Sequence, residues 1–371
     1  MSLAGEYSNW VEIDLEAIEG NVRQCLRRTG AQVMAVVKAN GYGHGAVPVA
    51  RAAVRAGATW CGVARLDEAL ELRQAGMDCP ILILGATPVQ RLREAIAARV
   101  SMAVWEAGQV RAAAEAAAAV GQPARLHLKV DTGMTRLGSE PEDAPELARQ
   151  LASTPGVVFE GLFTHFARAD EEDLAPTDEQ TRQFRLVLDQ IETAGVRPPL
   201  VHAANSAAGL ACPAACFDMV RVGIALYGLH PSAECQLPEG FRPVLSWKSQ
   251  LTQIRVTPPG RGVGYGHAYV TRKLERIGVV PVGYGDGYRR VPGNRVLVGG
   301  RVVPVVGNVC MDQLMVQLDE VPETRVGDEV VLIGRQGQAE LTAEDLGAIW
   351  GTFSYEVVCG LSARVARVSI G

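Results

Sequence analysis

The chain has 371 residues, 48% hydrophobic and 21% charged, with 36 lysines and arginines against 41 aspartates and glutamates, a formal charge of -5. That length holds two domains with a substantial core, and the mild acidity argues against nucleic acid or an anionic membrane as a partner. No apolar stretch is long enough to cross a bilayer, and the N-terminus lacks the basic and apolar regions of a secretion signal. The eight cysteines are scattered. Cys212 and Cys216 are the only close pair, a poor zinc signal without a second pair, so no metal is expected and reduced thiols in a cytoplasmic protein are.

Residues 10–14 read as a strand, followed by a helix to about residue 28. From residue 34 short Val/Ile/Leu-rich runs alternate with Ala-, Glu- and Arg-rich segments of helical period. The candidate strands are 34–38, 60–64, 81–84, 101–104, 125–130, 157–165, 200–204 and 219–222, with helices such as 46–56, 66–75 and 89–98 between them. Eight apolar runs separated by helices predict an α/β fold, a (β/α)8 barrel of the TIM type; continuously apolar strands fit a parallel sheet covered by helices. A doubly wound open sheet is the alternative, weakened because no G-x-G-x-x-G follows an early strand. Beyond about residue 242 the helical period fades. Gly- and Pro-punctuated β runs take over at 244–256, 276–282, 295–298, 302–306, 314–318, 329–333 and 363–370, with one helix at 342–351. The expected domains are a barrel over 1–240 and an all-β domain over 241–371, the strand at about 9–14 being open to packing with the latter.

Barrel enzymes place their chemistry at the C-terminal strand ends. The first barrel strand ends in Lys38, within Ala35-Val-Val-Lys-Ala-Asn-Gly-Tyr-Gly-His-Gly45. An ammonium at the end of an apolar run is costly to bury alone. It is either a snorkelling lysine or an amine held in a pocket as nucleophile or base. Gly41, Gly43 and Gly45 allow close backbone approach and positive φ. The fifth strand ends in Lys129-Val-Asp131-Thr-Gly133-Met-Thr-Arg136, the sixth in Thr164-His165, the seventh in His202-Ala-Ala-Asn205-Ser206 and the eighth in Arg221-Val-Gly223-Ile224. Each alone has a bland explanation: His165 as a structural histidine, Lys129 as a rim ion pair with Asp131, Ser206 as an N-cap. Five polar ends converging on one mouth, above apolar strand interiors, are harder to dismiss.

Ser206 at a helix start, with the amides of Gly223 and Ile224, suits an anion after strands seven and eight. An amine lysine beside a phosphate cradle suggests pyridoxal 5'-phosphate held as a Schiff base; a phosphosugar aldolase would use the same two parts. Arg221, if it faces a pyridine nitrogen, can only donate a hydrogen bond. The ring then stays unprotonated, which favours brief proton removal and return. The second domain carries Val263-Gly-Tyr265-Gly266, Val282-Gly-Tyr284-Gly-Asp286-Gly-Tyr288, Cys310-Met311-Asp312 and Ser354-Tyr355-Glu356, each structural when read alone.

Together the motifs at 35–45, 129–138, 164–170, 202–208, 221–228, 263–266, 283–288, 310–313 and 354–359 resemble, in order, the bacterial alanine racemase family, over essentially the whole chain from Trp10. The resemblance implies a pyridoxal-phosphate barrel with a C-terminal β domain, assembled as a head-to-tail homodimer whose sites are each completed by the partner's β domain. It implies interconversion of L- and D-alanine, supplying D-alanine for cell-wall peptidoglycan. Lys38 and Tyr265 of the partner subunit would be the catalytic bases on opposite faces of Cα. Tyr42, Asn205, Ser206, Gly223, Ile224 and Tyr355, with Lys38, His165 and Arg221, would bind the cofactor. Arg136 and Met311 would contact substrate, and Lys129 matches a lysine carbamylated in some members. The chain departs from the family pattern at Gly41, at Asn308 and Phe353 near what resembles the access corridor, and at Ala366. A serine or broad-specificity racemase is the near alternative. Tyr355 argues against it sterically, although an apolar pocket discriminates one hydroxyl weakly. Arg221 opposes a decarboxylase on the same plan, and Tyr265 opposes a barrel that merely buffers the cofactor.

Overall fold

The computed structural model describes residues 7–371; the first six residues, part of the stretch read above for a secretion signal, lie outside them. The chain forms two compact units, one over Glu16–Pro243, the other joining residues through Leu15 to Val244–Gly371.

In the second unit β1 (Asn9–Asp14) opens the chain. The first unit holds eight parallel strands: β2 (Gln32–Val36), β3 (Trp60–Val63), β4 (Ile81–Ile83), β5 (Ser101–Val104), β6 (Ala124–Lys129), β7 (Val157–Phe163), β8 (Leu200–His202) and β9 (Met219–Val222). Their hydrogen-bonded order is β8-β7-β6-β5-β4-β3-β2-β9. The ends nearly close through Asp218 N to Val201 O at 3.0 Å and Arg221 N to Ala204 O at 2.9 Å, so the barrel expectation holds. The covering helices bury one apolar stripe each. Helix Ala46–Arg55, for example, buries Ala46, Val49, Ala50, Ala52 and Ala53, the spacing of a helix face.

Two expectations fail here. The helix read over 89–98 is a 3-10 turn, Val89–Arg91, followed by a short α-helix, Leu92–Ala97; Arg91 at φ -108° interrupts it. The strand interiors are not uniformly apolar. His127 on β6 is fully buried, and Glu160 lies in the middle of β7 with its side chain 12% exposed. Both are tolerated because they hydrogen-bond each other, Nε2 to Oε2 at 3.3 Å, which offsets their desolvation.

In the second unit β1 pairs antiparallel with β10 (Leu245–Gln250) and parallel with the strand Ala366–Ile370, within a seven-stranded sheet. A three-stranded sheet joins Gln253–Thr257, Glu275–Val280 and Leu314–Gln317. The run read as one strand over 244–256 is therefore two. It breaks at Leu251 and Thr252, whose amides bond to Asp328 O and Val279 O. The expected helix is Ala343–Trp350, with Thr342 Oγ1 accepting from Asp345 N at 3.0 Å and Gly351 closing it at φ 67°, a cap at each end. A further helix, Ser354–Cys359, is six residues long, too short to show a period in sequence. Among the described residues no helix is long and apolar enough to cross a membrane, and no group of three or more His, Cys, Asp or Glu could hold a metal ion.

Candidate active site

β2 stops at Val36, and Lys38 opens a left-handed turn. Ala39, Asn40, Gly41 and Tyr42 have φ of 52°, 54°, 59° and 52°. This conformation costs roughly 1–2 kcal/mol for each residue with a Cβ, so the surroundings must impose it. Gly41 N bonds to Val37 O at 2.8 Å, Gly43 N to Ala39 O at 3.0 Å and Gly45 N to Asn40 O at 2.9 Å. Glu68 Oε1 accepts from Ala39 N at 2.7 Å, and Asn40 Oδ1 accepts from Ala46 N at 3.0 Å. Sequence reasoning located the positive φ at glycines; the structure extends it through Ala39, Asn40 and Tyr42. Strain of this kind clusters where a side chain must be fixed, and the side chain at its start is Lys38.

Tyr42 ends the turn against the loops after β8 and β9. Helix Ser206–Ala211 is capped by Asn205, whose Oδ1 accepts from Ala208 N at 3.0 Å. Ser206 is therefore not the cap. Its Oγ accepts from Gly223 N at 3.0 Å and Ala225 N at 3.4 Å, which leaves its own proton to donate outward. A Cβ on Gly223 would stand 2.5 Å from Tyr42 Oη, so only glycine lets the phenol in. Ile224 opens the turn Ile224–Tyr227. Tyr227 packs its ring 4.8 Å from that of Tyr42 and donates to Val36 O at 3.0 Å. Two hydroxyls and a glycine backbone converging on one spot fit a phosphate.

Arg221 is buried, and every acceptor it meets is a carbonyl or an imidazole. Nη1 donates to His202 Nδ1 at 3.0 Å and His202 O at 3.1 Å; Nη2 donates to Thr164 O and Ala203 O at 2.8 Å and to His165 Nδ1 at 3.0 Å. Nε–H remains. Burial pushes the guanidinium pKa down. Burial, then Arg221, pushes His165 and His202 well below the ordinary imidazole value, so both are neutral. Lys129 is pulled down to about 8, first by burial, then by Arg136 and Arg221, with Lys38 acting in the same direction and Asp131 opposing. Its ammonium lies 5.6 Å from the centre of the Phe163 ring. Four cationic side chains acting on one another within a barrel mouth make a site for anions.

Asp131 does not serve as a rim partner of Lys129. Its carboxylate accepts from the amides of Gly133, Met134, Thr135 and Arg136, at 2.9, 2.8, 3.1 and 3.0 Å, and so folds the loop that carries Arg136. Burial works to raise its carboxyl, but the amides outweigh it and hold the group below the usual range. Sequence reasoning missed Glu68, Tyr227 and Gln180. Gln180 donates to Thr132 Oγ1 and His165 O and accepts from Ala167 N. It sits on the buried stripe of helix Ala175–Thr193, and a polar residue in an apolar stripe was the one available signal.

In the second unit Tyr265 is 68% exposed and Met311 54%. With Cys310, Asp312 and Met315 they line an open concavity of about 620 Å³. Asn308 Nδ2 donates to Tyr265 O at 2.9 Å. Arg364 reaches Asp286 Oδ1 at 2.7 Å, Asp312 Oδ1 at 2.8 Å and Met311 O at 3.3 Å, a role its C-terminal position did not suggest. The Tyr355 ring lies 5.3 Å from that of Phe353, which is itself exposed.

A (β/α)8 barrel with a lysine opening a left-handed turn and a buried arginine at its strand ends, followed by a mainly β unit, defines a class of barrel enzymes with a second, β domain. The chain belongs to the alanine racemase family. That family's N-terminal domain matches residues 13–231 and its C-terminal domain 244–369. An alanine racemase of Symbiobacterium thermophilum is 45% identical over 370 residues, covering 99% of this chain and 98% of its own. One of Desulfovibrio desulfuricans is 45% identical over 365 residues, 97% of this chain and 98% of its own. The solved alanine racemase of Clostridium difficile superposes with a TM-score of 0.93 at 38% identity, covering 98% of this chain and 96% of that one. That of Bacillus anthracis with bound L-Ala-P gives 0.92 at 40%, over 98% and 95%.

Proposed function

We propose that the protein is an isomerase that interconverts L- and D-alanine, with pyridoxal 5'-phosphate held at the barrel mouth, and that it supplies D-alanine for cell-wall peptidoglycan. The observation that carries the reading is the left-handed turn that starts at Lys38 and ends at Tyr42, whose phenol packs on Gly223, the residue that also donates to Ser206. In this reading Tyr42, Ser206 and Gly223 hold the phosphate with Ile224, while Asn205 fixes the helix that carries Ser206. Lys38 is the attachment point. Bound there, the cofactor supplies an electron sink that makes the Cα–H of alanine acidic.

The chain's own residues do the rest. Lys38 Nζ takes or returns the Cα proton on one face. Tyr265 of the partner subunit does so on the other, so each turnover inverts the centre. The exposure of Tyr265 and Met311 supports a homodimer in which this surface completes a second chain's site. His165, neutral and accepting from Arg221 at Nδ1, carries its proton on Nε2 and is suited to donate to the oxygen of that phenol, stabilising it when it has given up its proton. The Nε–H of Arg221 would be left to donate to the ring nitrogen of a bound cofactor; because a guanidinium cannot accept in return, that nitrogen would stay unprotonated and the sink weak. Arg136 takes the substrate carboxylate. The lowered pKa of Lys129 supports its carbamylation: carbon dioxide bonds to the neutral amine, a proton leaves to water, and Arg136 gains an anionic partner. The eight free thiols support a cytoplasmic location.

The test is turnover on L-alanine and L-serine side by side, with carbon dioxide release monitored. D-alanine formation at the higher kcat/KM, no carbon dioxide, and a borohydride-fixed cofactor label on Lys38 are expected. Higher kcat/KM on L-serine makes it a serine racemase; carbon dioxide release or no label on Lys38 overturns the proposal.

A further inference from the structure

The interior of a barrel of this class is ordinarily filled by layers of apolar side chains. Here a hydrogen-bonded line runs through it. Arg221 Nη1 donates to His202 Nδ1 at 3.0 Å, His202 Nε2 lies 3.0 Å from His127 Nδ1, and His127 Nε2 lies 3.3 Å from Glu160 Oε2. Glu160 also accepts from Ser101 Oγ and, at 3.0 Å, from Arg125 Nη1, whose side chain is half-exposed. Both imidazoles are fully buried.

The line is accommodated deliberately. A Cβ at Gly161 would come within 2.2 Å of His127 Nδ1, and the β6–β7 register shifts at His127. Phe163 stacks on His202 at 4.8 Å and 6°, and the guanidinium of Arg221 lies 5.4 Å from the same ring.

The two ends dictate the direction. Arg221 can only donate, so His202 Nδ1 accepts. His202 Nε2 therefore carries the proton and donates to His127 Nδ1. His127 in turn carries its proton on Nε2 and donates to Glu160, which when ionised can only accept. Reversing any link sets N–H against N–H at Arg221. We propose that Glu160 and His127 are positioning residues for Arg221: the Glu160 charge, two imidazoles away, fixes the His202 tautomer and so anchors the guanidinium that faces the cofactor. Glu160 is the anionic end of a line whose cation meets no carboxylate among the described residues. Burial works to raise the Glu160 carboxyl, but His127, Ser101 and Arg125 outweigh it and keep it ionised. A buried polar line is stable only when every member is satisfied, and here each one is.

The inference rests on the function proposed above for Arg221, and its test separates the two. Holoprotein labelled with 15N-histidine is expected to show Nδ1 of both His127 and His202 as acceptors and Nε2 of both as donors. Glu160→Gln, which can present an N–H to His127, is expected to change the His202 signals. It should lower kcat by roughly tenfold, the effect of one buried hydrogen bond set against its donor, while KM and cofactor content hold. Wild-type protein with His202 protonated on Nδ1 or on both nitrogens overturns the inference, whether or not the variant folds. So does a variant whose His202 signals or kcat match wild type, even if it melts earlier. Wild-type protein that leaves alanine unracemised removes the proposed function, while the nitrogen signals still decide the direction of the line.

Discussion

His165 and His202 set how this protein responds to acid. Burial first, and Arg221 next, holds both well below the ordinary imidazole value. In the unfolded chain each takes up a proton near a pKa of about 6.5; in the folded chain neither does. The unfolded state thus binds more protons below that pH, and stability falls as pH falls, by up to about 1.4 kcal/mol per pH unit for each histidine. Above about pH 6.5 the contribution is fully present. The carboxyls of Glu160 and Asp131, held below their usual range, add a second loss only once the pH drops through the carboxylate range. Urea unfolding at a series of pH values should show a level midpoint above neutrality and a decline starting near pH 6.5, before any carboxylate titrates. A midpoint that stays level to about pH 5 would show that neither imidazole is kept neutral by folding. The two histidines were legible in the sequence because they stand at strand ends, where chemistry is sought. His127 and Glu160 were not, because a single polar residue inside an apolar run looks like noise until its partner on the next strand is known.

The turn after β2 shows the same division at the scale of an element. Alternating apolar runs and helical periods gave eight strands in the right places, since each strand buries both faces and each helix one. The glycines at 41, 43 and 45 marked a turn. Nothing local announced that Ala39, Asn40 and Tyr42 share its left-handed backbone, because tertiary bonds from Glu68 and Ala46 impose it. Asn40 tolerates that conformation better than most residues and also accepts from Ala46 N. Asn40→Gly removes only the hydrogen bond and should cost about 1 kcal/mol. Asn40→Ala removes the bond and adds backbone strain, so it should cost roughly 2 kcal/mol and loosen Lys38, lowering turnover further. Denaturant midpoints at constant slope measure both losses. If the glycine variant is as unstable as the alanine variant, the turn is not held against a conformational cost.

At the scale of the molecule the proposed function divides the catalytic residues between the two units. The first presents Lys38, the cradle and Arg221; the second presents Tyr265 and Met311 on an exposed surface held by Asn308 and Arg364. Exposed tyrosine and methionine beside a concavity fit the homodimer proposed above. Sequence reached this division through motif order, not through physics, because no pattern within one chain states which copy of a surface meets which. If each site takes Lys38 from one chain and Tyr265 from another, two inactive variants must complement. Lys38→Ala protein mixed with Tyr265→Ala protein forms hybrids in which one site has both residues and the other neither. With random exchange half of the dimers are hybrids with one of two sites intact, so activity should return to about one quarter of wild type. Mass spectrometry of the intact dimers verifies the exchange independently of activity. Hybrids present at that level without activity would mean that Lys38 and Tyr265 do not act across an interface, and the second base would have to be sought within the same chain.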